Sequence, residues 1–387
     1  MWSYHWPPEF SGAALQARRL SHVLRGRGWE VWALVSTGDH ARVAETEDDG
    51  LRVVRVPRSR LRRFTPMALQ TLWRYSRALR ARRHEFDVLH LHTAYMDAAL
   101  GATLAQWWGK PCIVKNTLPG VDLQQYGHGL WGRWQKRALD SAGAFVGASP
   151  AAADELVRIG IPPEKIHRIP NGVDTEHFYP SEPGERPALR AKLGLHPEGR
   201  LILNHSGLTA RKGTDALVEA FAIEAARDPH LQLALVGPWE RDGQPLEGDA
   251  PSWLPNLRRR IGELGLTERI HMPGAQSNTV DWLRAADAFA FPSQNDLLPN
   301  SVLEAMATAL PIVTWDVPFA QALLREGESG LLVKPGDVEG FAGAIAQILS
   351  DPDQARRLGT AARKSVCEVY SLDRVATAYE ELYQSLS

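Results

Sequence analysis

The chain has little cysteine: its 387 residues hold only Cys112 and Cys367. Two cysteines exclude a disulfide-stapled scaffold and suit a reducing compartment. No uninterrupted apolar run approaches the roughly 18 residues of a membrane span. Residues 1–12 lack the basic start and apolar core of a signal peptide, so the expectation is a cytoplasmic protein without a targeting signal. There is no short repeat and no low-complexity tract. Hydrophobic residues at 44% and charged residues at 23% exclude a disordered chain or a collagen-like fibre.

Net charge is −1, but the charge is unevenly placed. Residues 1–184 carry 24 Lys+Arg against 18 Asp+Glu, and residues 185–387 carry 20 against 27. Residues 52–83 hold 11 arginines and no acid. Such a run is either a solvated face or a surface for an anionic partner. No recognition motif accompanies it, so nucleic acid is not the expected partner.

Short apolar strands alternate with helix-length segments from end to end, the pattern of parallel α/β layers. Strands are expected at 30–35, 51–56, 88–92, 111–115, 144–148 and 166–170. A second set is expected at 201–205, 232–236, 270–272, 288–291, 312–314 and 331–333. Ala13, Ala17, Leu20 and Leu24 have helical spacing, as do Leu217, Phe221 and Ala225. The stretch 179–187 concentrates proline and glycine and reads as a linker between two α/β units. In open parallel sheets ligands bind at the carboxyl ends of the strands, so a cleft between two such units is the expected site.

Three segments carry chemistry. In Pro7-Pro8-Glu9-Phe10-Ser11-Gly12 a loop ends at a glycine opening a helix, where free N–H groups favour an anion. Alone the signal is weak, since many glycines in this position simply make a turn. In Ser206–Gly213 the pair Arg211-Lys212 follows a strand directly. A guanidinium fork beside an ammonium suits a diphosphate, although a plain basic loop looks the same. In Phe291–Ala307 a strand leads through Asp296, Leu298, Pro299, Asn300 and Ser301 to a helix bearing Glu304. The N–H groups of that helix start form a second anion site. The plain alternative is capping, with Asn300 as N-cap and Glu304 complementing the dipole.

In this order and spacing the segments resemble the retaining glycosyltransferases of family 4, over nearly the whole chain. Ile169–Phe178 (IPNGVDTEHF) resembles the end of that family's first domain. Arg211-Lys212-Gly213 resembles its diphosphate loop, and Asp296 and Glu304 resemble its two spaced acids. Gly330–Val333 with Pro335-Gly336 resembles the segment that follows. The resemblance implies the GT-B fold, two Rossmann-like domains facing across a cleft. The expected division is 1–183, then 184–371, with 372–387 a helix returning to the first domain.

The resemblance also implies roles. Asp296 lies beside the donor sugar, Glu304 binds the ribose, and Gly12, Arg211 and Lys212 hold the diphosphate. The loop Leu298–Ser301 lines the donor, and Gly274 lies near the nucleoside. The implied reaction moves a hexosyl or hexosaminyl group, with retention, from a UDP- or GDP-sugar to a glycan or lipid-linked acceptor. Preorganised cations would stabilise the leaving phosphate in place of a metal. No metal and no cofactor are expected. Asp351-Pro352-Asp353, the only Asp-x-Asp, reads as a helix cap.

The chain departs from the family pattern at four places. It has Asp296 where glutamate is common, Gly207 where arginine is common, and Ala309 where glycine is usual. Lys115–Gly120 stands where a first-domain histidine is expected, so no general base is assigned. Two rivals remain open: a nucleotide-sugar epimerase of the same fold, and a degenerate donor-binding partner of an active transferase.

Two further expectations concern the first half. Met67, Leu72, Trp73 and Leu79, with Arg74, Arg77, Arg80 and Arg82 around them, form an amphipathic helix suited to an anionic membrane surface. The anion-binding loop starts so early that only Met1–Tyr4 can be the central strand. A truncated strand is therefore expected there, with apolar residues missing upstream.

Overall fold

The structure, a computed structural model, describes residues 1–7, 11–38, 42–57, 66–94, 96–117, 126–241, 244–246 and 252–386. It divides into two compact units, Met1–Gly172 with Leu372–Ser387, and Val173–Ser371.

The first unit runs β1 (Trp2–Ser3), α1 (Gly12–Gly26), β2 (Trp32–Thr37), β3 (Ala44–Asp48), β4 (Leu51–Pro57) and α2 (Pro66–Ala81). It continues β5 (Leu89–Leu91), α3 (Met96–Trp107), β6 (Cys112–Asn116), α4 (Gly129–Asp140), β7 (Ala144–Gly147), α5 (Pro150–Arg158) and β8 (Ile166–Arg168). The strand order is β3-β4-β2-β1-β5-β6-β7-β8, parallel except for β3, which pairs antiparallel with β4. From β4 to β7 this is the doubly wound order, reversing at β1. The strand β1 has two residues, between a neighbour of six and a neighbour of three, as the sequence led one to expect. Trp2 on this strand is buried and stacks on Tyr75 with ring centroids 4.7 Å apart.

The second unit runs α6 (Arg186–Lys192), β9 (Leu201–His205), α7 (Thr214–Ala225), β10 (Gln232–Val236), β11 (Glu240–Arg241), β12 (Gln244–Pro245), α8 (Trp253–Glu263) and β13 (Ile270–Gly274). It continues α9 (Thr279–Ala285), β14 (Ala288–Phe291), α10 (Asn300–Ala307), β15 (Ile312–Trp315), α11 (Pro318–Leu323), β16 (Leu331–Val333), α12 (Val338–Ser350) and α13 (Pro352–Val369). Its main sheet is wholly parallel, in the order β13-β10-β9-β14-β15-β16. Leu201, Ile202, Leu203, Leu233, Phe289 and Phe291 are fully buried. That explains why these strands read as continuous apolar runs: helices cover both faces.

The divide falls at Gly172/Val173 rather than at the expected 183/184. The segment after Gly172 is bound to the second unit. Val173 N–H donates to Tyr370 O at 2.9 Å. Phe178 is buried, and the Arg363 guanidinium donates to the carbonyls of Thr175, Phe178 and Ala307. The proline-rich stretch 179–187 thus lies inside the second unit, a few residues past the divide. The last helix, α14 (Leu372–Leu386), packs Val375, Tyr379, Leu382 and Tyr383 against Leu20, Leu24, Ile113 and Val146 of the first unit. Arg27 fixes it through Asp373 and Glu380, and Trp29 Nε1 donates to Glu380 at 2.7 Å.

The arginine run is less free than its sequence suggests. Arg52 pairs with Glu45 and Glu85, and Arg82 pairs with Glu45, acids brought in by β3 and by the turn after α2. Leu79, assigned to the membrane-facing stripe, is instead core, with Tyr75 and Ala78. The outward face of α2 keeps Trp73, 55% exposed, with Arg77 4.8 Å over its ring, and Arg80. Arg58, Arg60, Arg62 and Arg63 lie outside the described residues. Among the described residues no helix is long and apolar enough to cross a membrane.

Candidate active site

The doubly wound order of the second unit reverses between β9 and β14, and at such a reversal the loops leaving the two strands part and open a crevice. Both basic residues and both acids singled out in this half lie just beyond these two strands.

The loop after β9 ends in a single turn, Ala210–Lys212, capped by the Thr209 hydroxyl, which accepts from Lys212 N–H at 3.3 Å. Gly213 then turns the chain with φ +73°, and a Cβ there would stand 2.1 Å from Pro292 O. Only glycine allows that contact, which lays the basic turn against the start of the β14–α10 loop. Lys212 Nζ thereby reaches both oxygens of Asp296, at 2.6 and 2.7 Å. The Ser293 hydroxyl donates to Asp296 Oδ2 at 2.5 Å. Arg211 Nη1 donates to Asn295 O at 2.7 Å and stands 3.9 Å from Asp296 Oδ1. Lys212 and Asp296 are each only 14% exposed, so their pairing is weakly screened.

The second acid is placed differently. Pro299 is the N-cap of α10 and makes no side-chain cap bond, so Asn300 and Ser301 begin the helix. Asn300 is therefore not the cap that the plain reading of the sequence offered. Glu304 lies beyond the first turn and is 2% exposed, which also removes its reading as a surface dipole partner. His205, the last residue of β9, has its Nδ1 3.4 Å from Glu304 Oε2. Leu298 and Pro299 are buried at the same helix start, whose first N–H groups have no acceptor within the helix.

Gly274 ends β13, and its carbonyl accepts from Gly237 N–H at 2.9 Å. Gly237, with φ +142°, lies so near the loop after β9 that a Cβ would fall 1.7 Å from Ser206 O. The ring of Trp239 lies over Gly274, 3.5 Å from where a Cβ would be. Gly12 belongs to the other unit. It is the first residue of α1, after the N-cap Ser11, whose hydroxyl accepts from Ala14 N–H at 3.4 Å. Pro8, Glu9 and Phe10 lie outside the described residues, as do Leu118, Pro119 and Gly120.

The second unit thus brings Arg211, Lys212 and Asp296 together, with Glu304 on the helix that follows. Sequence reasoning missed Ser293, Thr209 and His205. Ser293 and Thr209 were legible as polar residues inside the quoted segments, whereas His205 carried no signal beyond ending a strand.

The other polar candidates are structural. Asp351 accepts from Gln354 N–H at 2.8 Å as an N-cap, and Asp353 pairs with Arg356. His90 and His92 are buried and stacked 4.1 Å apart, and His90 Nδ1 lies 2.8 Å from Tyr383 Oη. Burial holds both imidazoles well below their ordinary range. Lys115 is buried beside them, donates to Asn171 Oδ1 at 3.0 Å, and is lowered by burial to about 8. The atoms of His22, Asp48 and Asp49 come within 4.8 Å of one another. However, Arg18 bonds both carboxylates and Trp6 Nε1 donates to Asp48, which leaves the cluster a poor cation site.

Comparison with known proteins agrees with this geometry. The family described as "Glycosyltransferase Family 4" matches residues 10–177, and "Glycosyl transferases group 1" matches residues 185–365. The chain is similar to D-inositol 3-phosphate glycosyltransferase 1 of Catenulispora acidiphila, 31% identical over 79% of this chain and 74% of that one. It is also similar to the D-inositol 3-phosphate glycosyltransferase of Streptomyces griseus, 27% identical over 77% of this chain, and it spans 66% of that relative's length. Among solved structures, Anabaena Alr3699/HepE in complex with UDP-glucose has a TM-score of 0.78 at 19% identity, covering 100% of this chain and 99% of that one. Two doubly wound α/β units, each matched by a family description, establish that the chain belongs to the family 4 glycosyltransferases of GT-B fold.

Proposed function

We propose that the protein transfers a sugar, with retention, from a nucleotide sugar to a glycan or lipid-linked acceptor. The observation that carries this reading is the convergence of Arg211, Lys212 and Asp296 at the sheet reversal of the second unit, with Glu304 behind them. UDP-sugars are the first choice of donor, supported by HepE in complex with UDP-glucose, and GDP-sugars the second.

In this reading the bond from the sugar's anomeric carbon to the β-phosphate oxygen breaks, and the charge develops on that phosphate. Lys212 and Arg211 stabilise the departing diphosphate, helped by the first N–H groups of α10. No metal or cofactor is then needed. Asp296 accepts from the donor sugar's hydroxyls, and Glu304 accepts from the ribose. The relatives named for D-inositol 3-phosphate lend weight to a hydroxyl-bearing acceptor. The test is thermal-shift protection and donor hydrolysis across UDP-, GDP- and ADP-sugars. Protection by one nucleotide family is expected; none by any would overturn the reading. The anomeric configuration of the product, read by NMR, tests retention.

Trp73, Arg77 and Arg80 on the outer face of α2 support a peripheral contact with anionic lipid. That contact would bring the enzyme to a lipid-linked acceptor.

A further inference from the structure

His205 is set by the fold where a site residue belongs. It ends β9, the strand beside the sheet reversal, and it is 17% exposed. It pairs with Val236 of β10, and the residues on either side of it are anchored. Asn204 Nδ2 donates to Ala290 O at 2.8 Å, and Ser206 N–H donates to Val236 O at 3.0 Å. The ring's Nδ1 is shut off from solvent and has no hydrogen-bond partner among the described residues. A buried nitrogen left in that condition is unfavourable. Glu304 Oε2 stands 3.4 Å away, on a carboxylate that is itself almost wholly buried.

We propose that His205 is a positioning residue for Glu304. Its Nδ1–H donates to Oε2, which fixes the imidazole tautomer and turns Oε1 toward the ribose hydroxyls. The separation of 3.4 Å is longer than the usual 2.7–3.2 Å of an N–H···O bond. Hydrogen bonds at active sites are often long until the reacting complex tightens them. The inference rests on the reading of Glu304 as the ribose acceptor. It adds that discrimination between ribose and deoxyribose passes through a histidine that does not touch the nucleotide.

The test is calorimetric binding of UDP, GDP and ADP, followed by the 2′,3′-dideoxy form of whichever binds tightest. The proteins are the wild type, His205→Ala, His205→Asn and Glu304→Gln. The wild type is expected to prefer the ribonucleotide by roughly tenfold or more, the worth of one good hydrogen bond. His205→Ala should erase most of that preference and leave dideoxynucleotide affinity unchanged. His205→Asn, whose amide N–H can take the place of Nδ1–H, should keep it. The proposal is overturned if His205→Ala retains the full preference, if it weakens both nucleotides equally, or if asparagine rescues nothing. A lost preference in Glu304→Gln with none lost in His205→Ala sinks the proposal alone. An unchanged preference in Glu304→Gln, or no binding of any nucleoside diphosphate, removes the ribose reading and the proposal with it.

Discussion

In the proposed reading, Asp296 and the donor diphosphate compete for the Lys212 ammonium group. Lys212 Nζ holds both carboxylate oxygens at 2.6 and 2.7 Å, and neither side chain is more than 14% exposed. At an effective dielectric constant near 20, two charges about 4 Å apart attract by roughly 4 kcal/mol before desolvation and ordering are subtracted. Charge-assisted hydrogen bonds keep a net value of about 1.5–3 kcal/mol. Asp296→Asn keeps the size of the side chain and an acceptor for Ser293, but removes the charge. Lys212 is then released to bind phosphate, and a gain of about half the net pair value is roughly 0.8–1.5 kcal/mol, up to about tenfold in affinity. The assay is calorimetric titration of nucleoside diphosphate into both proteins at low and physiological salt, beside a turnover measurement. The Asp296→Asn protein should bind the free diphosphate up to about tenfold more tightly, with a smaller gain at higher salt, while sugar transfer falls about a hundredfold or more. Weaker diphosphate binding in the variant would refute the reasoning, because Asp296 would then serve the nucleotide directly.

Other consequences are as specific. Ala309 follows α10 at φ +56°, the left-handed position that favours glycine, so Ala309→Gly should stabilise the second unit by about 0.5–1 kcal/mol and raise its Tm by roughly 1–4 °C; an unchanged or lower Tm contradicts the strain argument. Lys115 is lowered by burial from 10.5 to about 8, so the unfolded chain binds more protons than the folded one between those values. Stability should therefore rise with pH across that window. Lys115→Met should flatten the rise and remove a cost of roughly 3 kcal/mol at pH 7, as read by denaturant unfolding at pH 7 and 10; a variant with the wild-type pH slope would sink this. Sedimentation with anionic but not neutral vesicles is expected, lost in high salt and in a Trp73→Ser, Arg77→Glu, Arg80→Glu variant; equal binding to neutral vesicles would end the membrane reading.

Much of the fold was legible in the sequence because the strands of both main sheets, β3 apart, are parallel and buried. Apolar runs at Leu201–His205, Gln232–Val236, Ala288–Phe291 and Leu331–Val333 coincide with strands end to end. The strand Ala44–Asp48 escaped notice because an edge strand with Glu45, Glu47 and Asp48 has no apolar face to signal it. The basic loop and the acidic loop were each visible, but not their contact, since Lys212 and Asp296 are 84 residues apart. Only the chain reversal at β9 and β14, and the missing Cβ of Gly213 against Pro292, bring them together. Charge counting misled at Arg52 and Arg82, whose partner Glu45 lies before the run and Glu85 after it. The proline-rich stretch 179–187 lies a few residues past the divide, because the Arg363 contact with Phe178 ties 173–178 to the second unit.

The central claim is that Lys212 and Glu304 serve transfer from a nucleotide sugar. The most direct test is nucleoside diphosphate release from the donor that best protects the protein, measured with acceptor for the wild type, Lys212→Ala and Glu304→Ala. The account predicts acceptor-dependent release by the wild type. It predicts a higher KM and a kcat lowered by roughly a hundredfold in Lys212→Ala, the scale of losing one preorganised charge at a leaving group. It also predicts strongly reduced turnover in Glu304→Ala with the fold intact. Near-wild-type turnover in both variants would contradict it.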